Sequence, residues 1–155
     1  MSFEFLKFLH IIGACVLLGT GAGIAFFMLM SNLRGTVTQI AHTAGIVVTA
    51  DFIFTATAVI VQPVTGYLLA REIGWPLSEP WIVISLALYV LVGLFWLPVV
   101  WIQMQLHSMA VKAANTATAL PDRYHRLYRI WLICGFPAFA AVMAILWLMI
   151  TRPEF

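Results

Sequence analysis

The sequence is poor in charge. Only 9% of its 155 residues are Asp, Glu, Lys or Arg, while 63% are hydrophobic. A water-soluble domain carries about 25% charged residues, so this chain lacks the polar surface to cover a folded body in water. It is also poor in cysteine. Cys15 and Cys134 fall at different depths of their hydrophobic runs and are expected neither to bridge nor to share a zinc ion. The missing Cys-x-x-Cys-His site excludes covalent c-type haem attachment. No glycine-rich phosphate loop and no nucleophilic serine motif is present, which argues against phosphoryl transfer and hydrolysis. Low-complexity segments and internal repeats are absent as well.

What the chain does have is long uncharged runs. They lie between Lys7 and Arg34, between Arg34 and Arg71 with Asp51 as the single interruption, between Glu79 and Lys112, and between Arg129 and Arg152. A helix crosses the hydrocarbon with about 20 residues, so each run can span it. The expected fold is an all-α integral membrane four-helix bundle in one domain, with spans near 6–31, 39–70, 81–111 and 124–151. The first span has no basic stretch before it and no cleavage site after it, so it reads as retained.

An even number of spans puts both termini on one side. Arg34, Lys112, Arg123, Arg126 and Arg129 then share the other side, against Lys7, Arg71 and Arg152. The positive-inside rule makes the Arg34 side cytoplasmic, with both termini periplasmic in a bacterial inner membrane. The basic residues near Arg126 read as lipid headgroup contacts, not as a nucleic-acid surface. His42 and His125 read as interfacial side chains.

Polar residues recur at helical spacing inside the spans. At about 100° per residue, Asp51, Thr55, Gln62 and Thr65 fall within roughly 40° of one direction on the second span. Ser85, Tyr89, Trp96, Gln103 and His107 do the same on the third. Lipid tails satisfy neither hydroxyls nor a carboxylate, so these stripes should turn inward. Interhelical hydrogen bonds that fix the packing explain them as well as a polar or cofactor-lined interior does. Asp51 should lie within the hydrocarbon and needs a partner, for which Arg129, Arg126 and His107 are the candidates. Gly19 and Gly23 give a GxxxG spacing that suits close helix packing, with a homo-oligomer contact as the alternative.

Lys7-Phe8-Leu9-His10-Ile11-Ile12-Gly13 and its glycine-rich continuation resemble a large bacterial family of four-span integral membrane proteins known only as a domain of unknown function. More distantly, this opening resembles the HemJ-type protoporphyrinogen oxidases and the CopD-like membrane domains. Thr65-Gly66-Tyr67-Leu68, Tyr128-Arg129 and Arg152-Pro153 extend the HemJ likeness weakly. Met28, Leu29 and Met30 stand where HemJ's first helix ends in arginine and histidine, a departure that weighs against oxidase activity more than against haem.

That resemblance implies a b-type haem in the bundle, with His10 matching the Lys-x-x-His of HemJ's first helix as axial ligand to the iron. Gln62, Tyr89, Trp96 and His107 would then shape the cofactor site, and Asp51 with Arg129 would handle charge or protons. The corresponding activity is electron transfer, or haem-dependent oxidation of a quinol or porphyrinogen. Two other classes stand beside it: a small transporter using the Asp51 to Thr65 face, and an accessory subunit of a larger membrane complex.

Overall fold

A computed structural model describes residues 2–153. Among them, four long helices follow one another: α1 (Phe3–Arg34), α2 (Val37–Ile73), α3 (Pro80–Asn115) and α4 (Asp122–Thr151). They enclose the four expected windows, running past them by up to four residues at an end. At about 1.5 Å rise per residue, each exceeds the roughly 30 Å of hydrocarbon. The fold is therefore the all-α membrane bundle expected from charge exclusion.

The connections follow from local chemistry. Ser2 caps α1 through its hydroxyl, which accepts from the Phe5 amide. Two residues then reverse the chain. A Cβ on Gly35 would lie 2.5 Å from the Ser31 carbonyl oxygen, which only glycine avoids, and Thr36 with Gln39 forms a reciprocal capping box that starts α2. Gly74 ends α2 in the left-handed region at φ 81°, where a side chain would be strained. Pro80 occupies the first turn of α3, where its missing N–H costs nothing.

We call the end holding the 35–36 and 116–121 connections the loop end, and the opposite end the terminal end. The larger core cluster fills the loop half, with Met28, Ala44, Val47, Leu106, Ala110 and Tyr124 at its centre. A smaller cluster of Ala70, Trp81 and Ile82 closes the terminal end beneath Trp75 and Met149. There Trp75 meets Trp81 edge to face, and the Arg152 guanidinium lies 4.6 Å over the Trp75 ring. Phe26, Phe27, Ile60, Leu94, Ile133, Phe136, Trp147 and Ile150 are exposed, as a surface facing acyl chains allows.

Helix α2 is not uniform. Asp51–Thr55 forms one π-helical turn in its middle. Such a turn inserts an extra residue, so every later side chain is rotated relative to a regular helix. The packing changes at this point: the loop half of α2 lies against both α1 and α3, whereas beyond the π turn its closest neighbour is α1.

Candidate functional site

Asp51 opens the π turn and is only 4% exposed. Its Oδ1 accepts a hydrogen bond from the Trp96 indole N–H at 3.3 Å, and its Oδ2 accepts one from the Gln103 side-chain amide at 3.2 Å. Trp96 and Gln103 stand seven residues apart on α3, two turns along one face. The Gln103 oxygen accepts in turn from the Trp131 indole N–H at 3.0 Å. With its oxygen held by Trp131, the Gln103 amide can present only its NH₂ to the carboxyl. Three helices are thus tied through one buried chain of hydrogen bonds.

The chain continues along α4 toward the loop end. Tyr124, Tyr128 and Trp131 follow at i, i+4 and i+7, and their rings stack in sequence, with centroids 6.4 and 6.1 Å apart. Tyr124 is fully buried and donates to the Asn32 side-chain oxygen at 2.9 Å; Asn32 donates to the Met28 carbonyl at 2.8 Å. The Tyr128 hydroxyl along this column is buried without a hydrogen-bond partner among the described residues, and the Thr55 hydroxyl is buried beside the Asp51 carboxyl.

Asp51's partner differs from the expectation. Arg126 and Arg129 are exposed, and His107 lies against Gly45, so none of the three candidates meets the carboxyl. The reason is the rotation of α4: Tyr124, Tyr128 and Trp131 face the core, and Arg129, about 160° from Trp131, falls on the other side. Trp96, expected to shape a pocket with His10, belongs to the Asp51 group instead.

A second polar group lies in the terminal half. His10 of α1 sits with Nδ1 2.8 Å from the Thr65 hydroxyl of α2, while the Gln62 amide donates to the His10 carbonyl at 2.9 Å. The Thr65 hydroxyl also lies 2.8 Å from the Val61 carbonyl and 3.2 Å from the Gln62 carbonyl. Which group donates between it and His10 Nδ1 is set by the imidazole tautomer. Tyr89 donates from α3 to the Val59 carbonyl, and Ser85 to the Trp81 carbonyl within its own helix. Gln62, Tyr89 and His10 are brought to the same half of the bundle, where Gln62 donates to the His10 carbonyl and Tyr89 to the Val59 carbonyl.

Glycines seat these side chains, and not the ones singled out by spacing. A Cβ on Gly13 would lie 2.9 Å from the Gln62 nitrogen, one on Gly66 3.2 Å from His10 Cε1, and one on Gly45 3.1 Å from His107 Nε2. A Cβ at Gly19, Gly21 or Gly23 would meet nothing within 4 Å. The GxxxG spacing therefore does not serve packing within the chain. The Tyr124, Tyr128 and Trp131 ladder emerges only in the folded bundle. Its i, i+4, i+7 spacing is the one signal the sequence offers for it.

Among the described residues, no group of three or more His, Cys, Asp or Glu is placed to hold a metal ion. The chemistry the site does offer is proton exchange. A carboxyl and an imidazole lie inside the bundle in two separate hydrogen-bonded groups, and each can exchange a proton.

A family model described as "Predicted integral membrane protein (DUF2269)" matches residues 4–153. No curated protein and no solved structure matches the chain. The wider likeness to HemJ-type oxidases and CopD-like domains finds no support in these comparisons.

Proposed function

The chain belongs to the DUF2269 family of predicted integral membrane proteins, and from its buried polar column we propose that it is a small permeation unit that moves protons through the bundle by way of Asp51. One observation carries this reading: both Asp51 oxygens, deep in the hydrocarbon, are met by uncharged N–H donors. A carboxyl kept for structure alone is usually paired with a cation, because an unpaired buried charge is costly. Neutral donors instead allow the group to gain and lose a proton without breaking an ion pair.

The column supplies relay groups on both sides. Toward the loop end lie the Tyr128 and Tyr124 hydroxyls and Asn32, with Gln103 held in place by the donor-only Trp131 indole; toward the terminal end lie Thr55, Thr65 and His10. The π turn at Asp51 supports the reading further, since such turns recur at functional positions.

The test is reconstitution into liposomes holding a pH-sensitive dye, with an imposed proton gradient. Wild-type protein should dissipate the gradient faster than protein-free vesicles, and Asp51→Asn should remove the difference. Equal rates in wild type and Asp51→Asn, or no rate above empty vesicles, would overturn the proposal.

A second reading keeps one specific observation. The Thr65 contact holds His10 through Nδ1, and an imidazole that ligates haem iron is likewise held through its other nitrogen by a second residue. Visible spectra of protein purified from haem-supplied cells, oxidised and dithionite-reduced, decide it. A Soret band lost in His10→Ala supports haem at this residue, and a colourless wild type removes it.

A further inference from the structure

A groove of about 710 Å³ opens on the lipid-facing side between the loop halves of α2 and α3. Gly45 seats one of its walls: with no side chain there, His107 crosses from α3 and lays its Nε2 over the α2 backbone. His42, three residues before Gly45, borders the same groove and is exposed. Two imidazoles from different helices therefore face one cavity, and neither belongs to the Asp51 or His10 hydrogen-bonded groups.

The lining is graded. Thr38 and Asn115 lie at the helix ends, the two histidines come next, and Ile46 and Phe54 follow toward the middle of the bilayer. His42 and His107 stand about 8 to 12 Å inside the ends of their helices, which puts them at headgroup level and at the hydrocarbon edge. No lysine, arginine or carboxylate lines the groove. A phosphate or carboxylate head would find no permanent counter-charge there. Imidazole N–H, hydroxyl and amide donors suit an uncharged head that presents carbonyl oxygens.

We propose that this groove binds a quinone from the bilayer, its ring carbonyls accepting hydrogen bonds from His42 and His107 and its tail lying along Ile46 and Phe54. The site is separate from the proton column, and its test measures binding, so it stands or falls independently of proton flux.

The experiment uses the full chain in phosphatidylcholine nanodiscs titrated with decylubiquinone, and a photoreactive azidoquinone to locate the site. Saturable binding is expected, with cross-links confined to residues 38–54 and 107–115. Affinity should fall about tenfold or more in His42→Leu/His107→Leu, the scale of one or more lost hydrogen bonds. His42→Leu alone, at an exposed position, gives the same direction if the double variant does not fold. Gly45→Leu, which displaces His107 from its seat, should weaken binding as well. Non-saturable uptake, equal affinity in wild type and the histidine variants, cross-links elsewhere, or displacement of the quinone by phosphatidylglycerol would overturn the proposal, the last identifying an anionic lipid as the occupant.

Discussion

The Gln62 amide nitrogen occupies the space that a Cβ on Gly13 would need, 2.9 Å from that position, while it donates to the carbonyl of His10 three residues earlier. The relationship is reciprocal: His10 from the same helix rests on Gly66, four residues after Gln62. Each helix thus offers one polar side chain and one glycine to the other. In lipid, where apolar surface gains little from burial, close approach and interhelical hydrogen bonds hold helices together.

Gly13→Ala should therefore push the Gln62 amide off the His10 carbonyl and destabilise the protein by about 1 kcal/mol, the scale of one hydrogen bond. Gly19→Ala, in open space, should be neutral or slightly stabilising through helix propensity. Unfolding in mild detergent compares the two, and equal losses would refute the distinction.

Asp51→Asn keeps the shape but supplies one acceptor where two N–H donors converge. Gln103 cannot turn its amide to compensate without losing Trp131. A loss of about 1–3 kcal/mol is expected, and a larger one for Asp51→Leu, which leaves both donors unpaired. Thermal unfolding of the two variants beside wild type checks the order.

Trp131→Phe and Gln103→Leu remove members of the same chain, so their effects should not add. Gln103→Leu is expected to cost more, because it strands both the Trp131 N–H and one Asp51 oxygen. The double variant should be more stable than the sum of the single losses implies, by about 0.5 kcal/mol or more in a double-mutant cycle. Strict additivity would show that the chain is not formed.

Tyr124→Phe removes one hydroxyl from a fully buried ring and leaves the Asn32 oxygen without its donor. The expected cost is about 1–2 kcal/mol. The stacking with Tyr128 stays, so near-ultraviolet circular dichroism should change less than stability does.

Arg129→Gln should leave both stability, within about 0.5 kcal/mol, and proton flux unchanged, because the side chain is exposed and does not reach Asp51. Loss of flux in this variant would restore Arg129 to the site.

The residue order alone determined that the chain enters a membrane, how many times it crosses, and that Asp51, Gln62, Thr65, Ser85 and Gln103 turn inward. Exclusion of charge and of unsatisfied polar groups from hydrocarbon acts residue by residue and needs no knowledge of neighbours. Tertiary structure decided which inward groups meet. Between apolar lipid and an apolar interior there is little hydrophobic contrast to fix how a helix is turned about its axis, so the sequence of α4 does not reveal that Trp131 faces Gln103 while Arg129 faces away. The π turn at Asp51 shifts the phase of α2 in the same hidden way, and the seats at Gly13, Gly45 and Gly66 exist only once the helices are side by side.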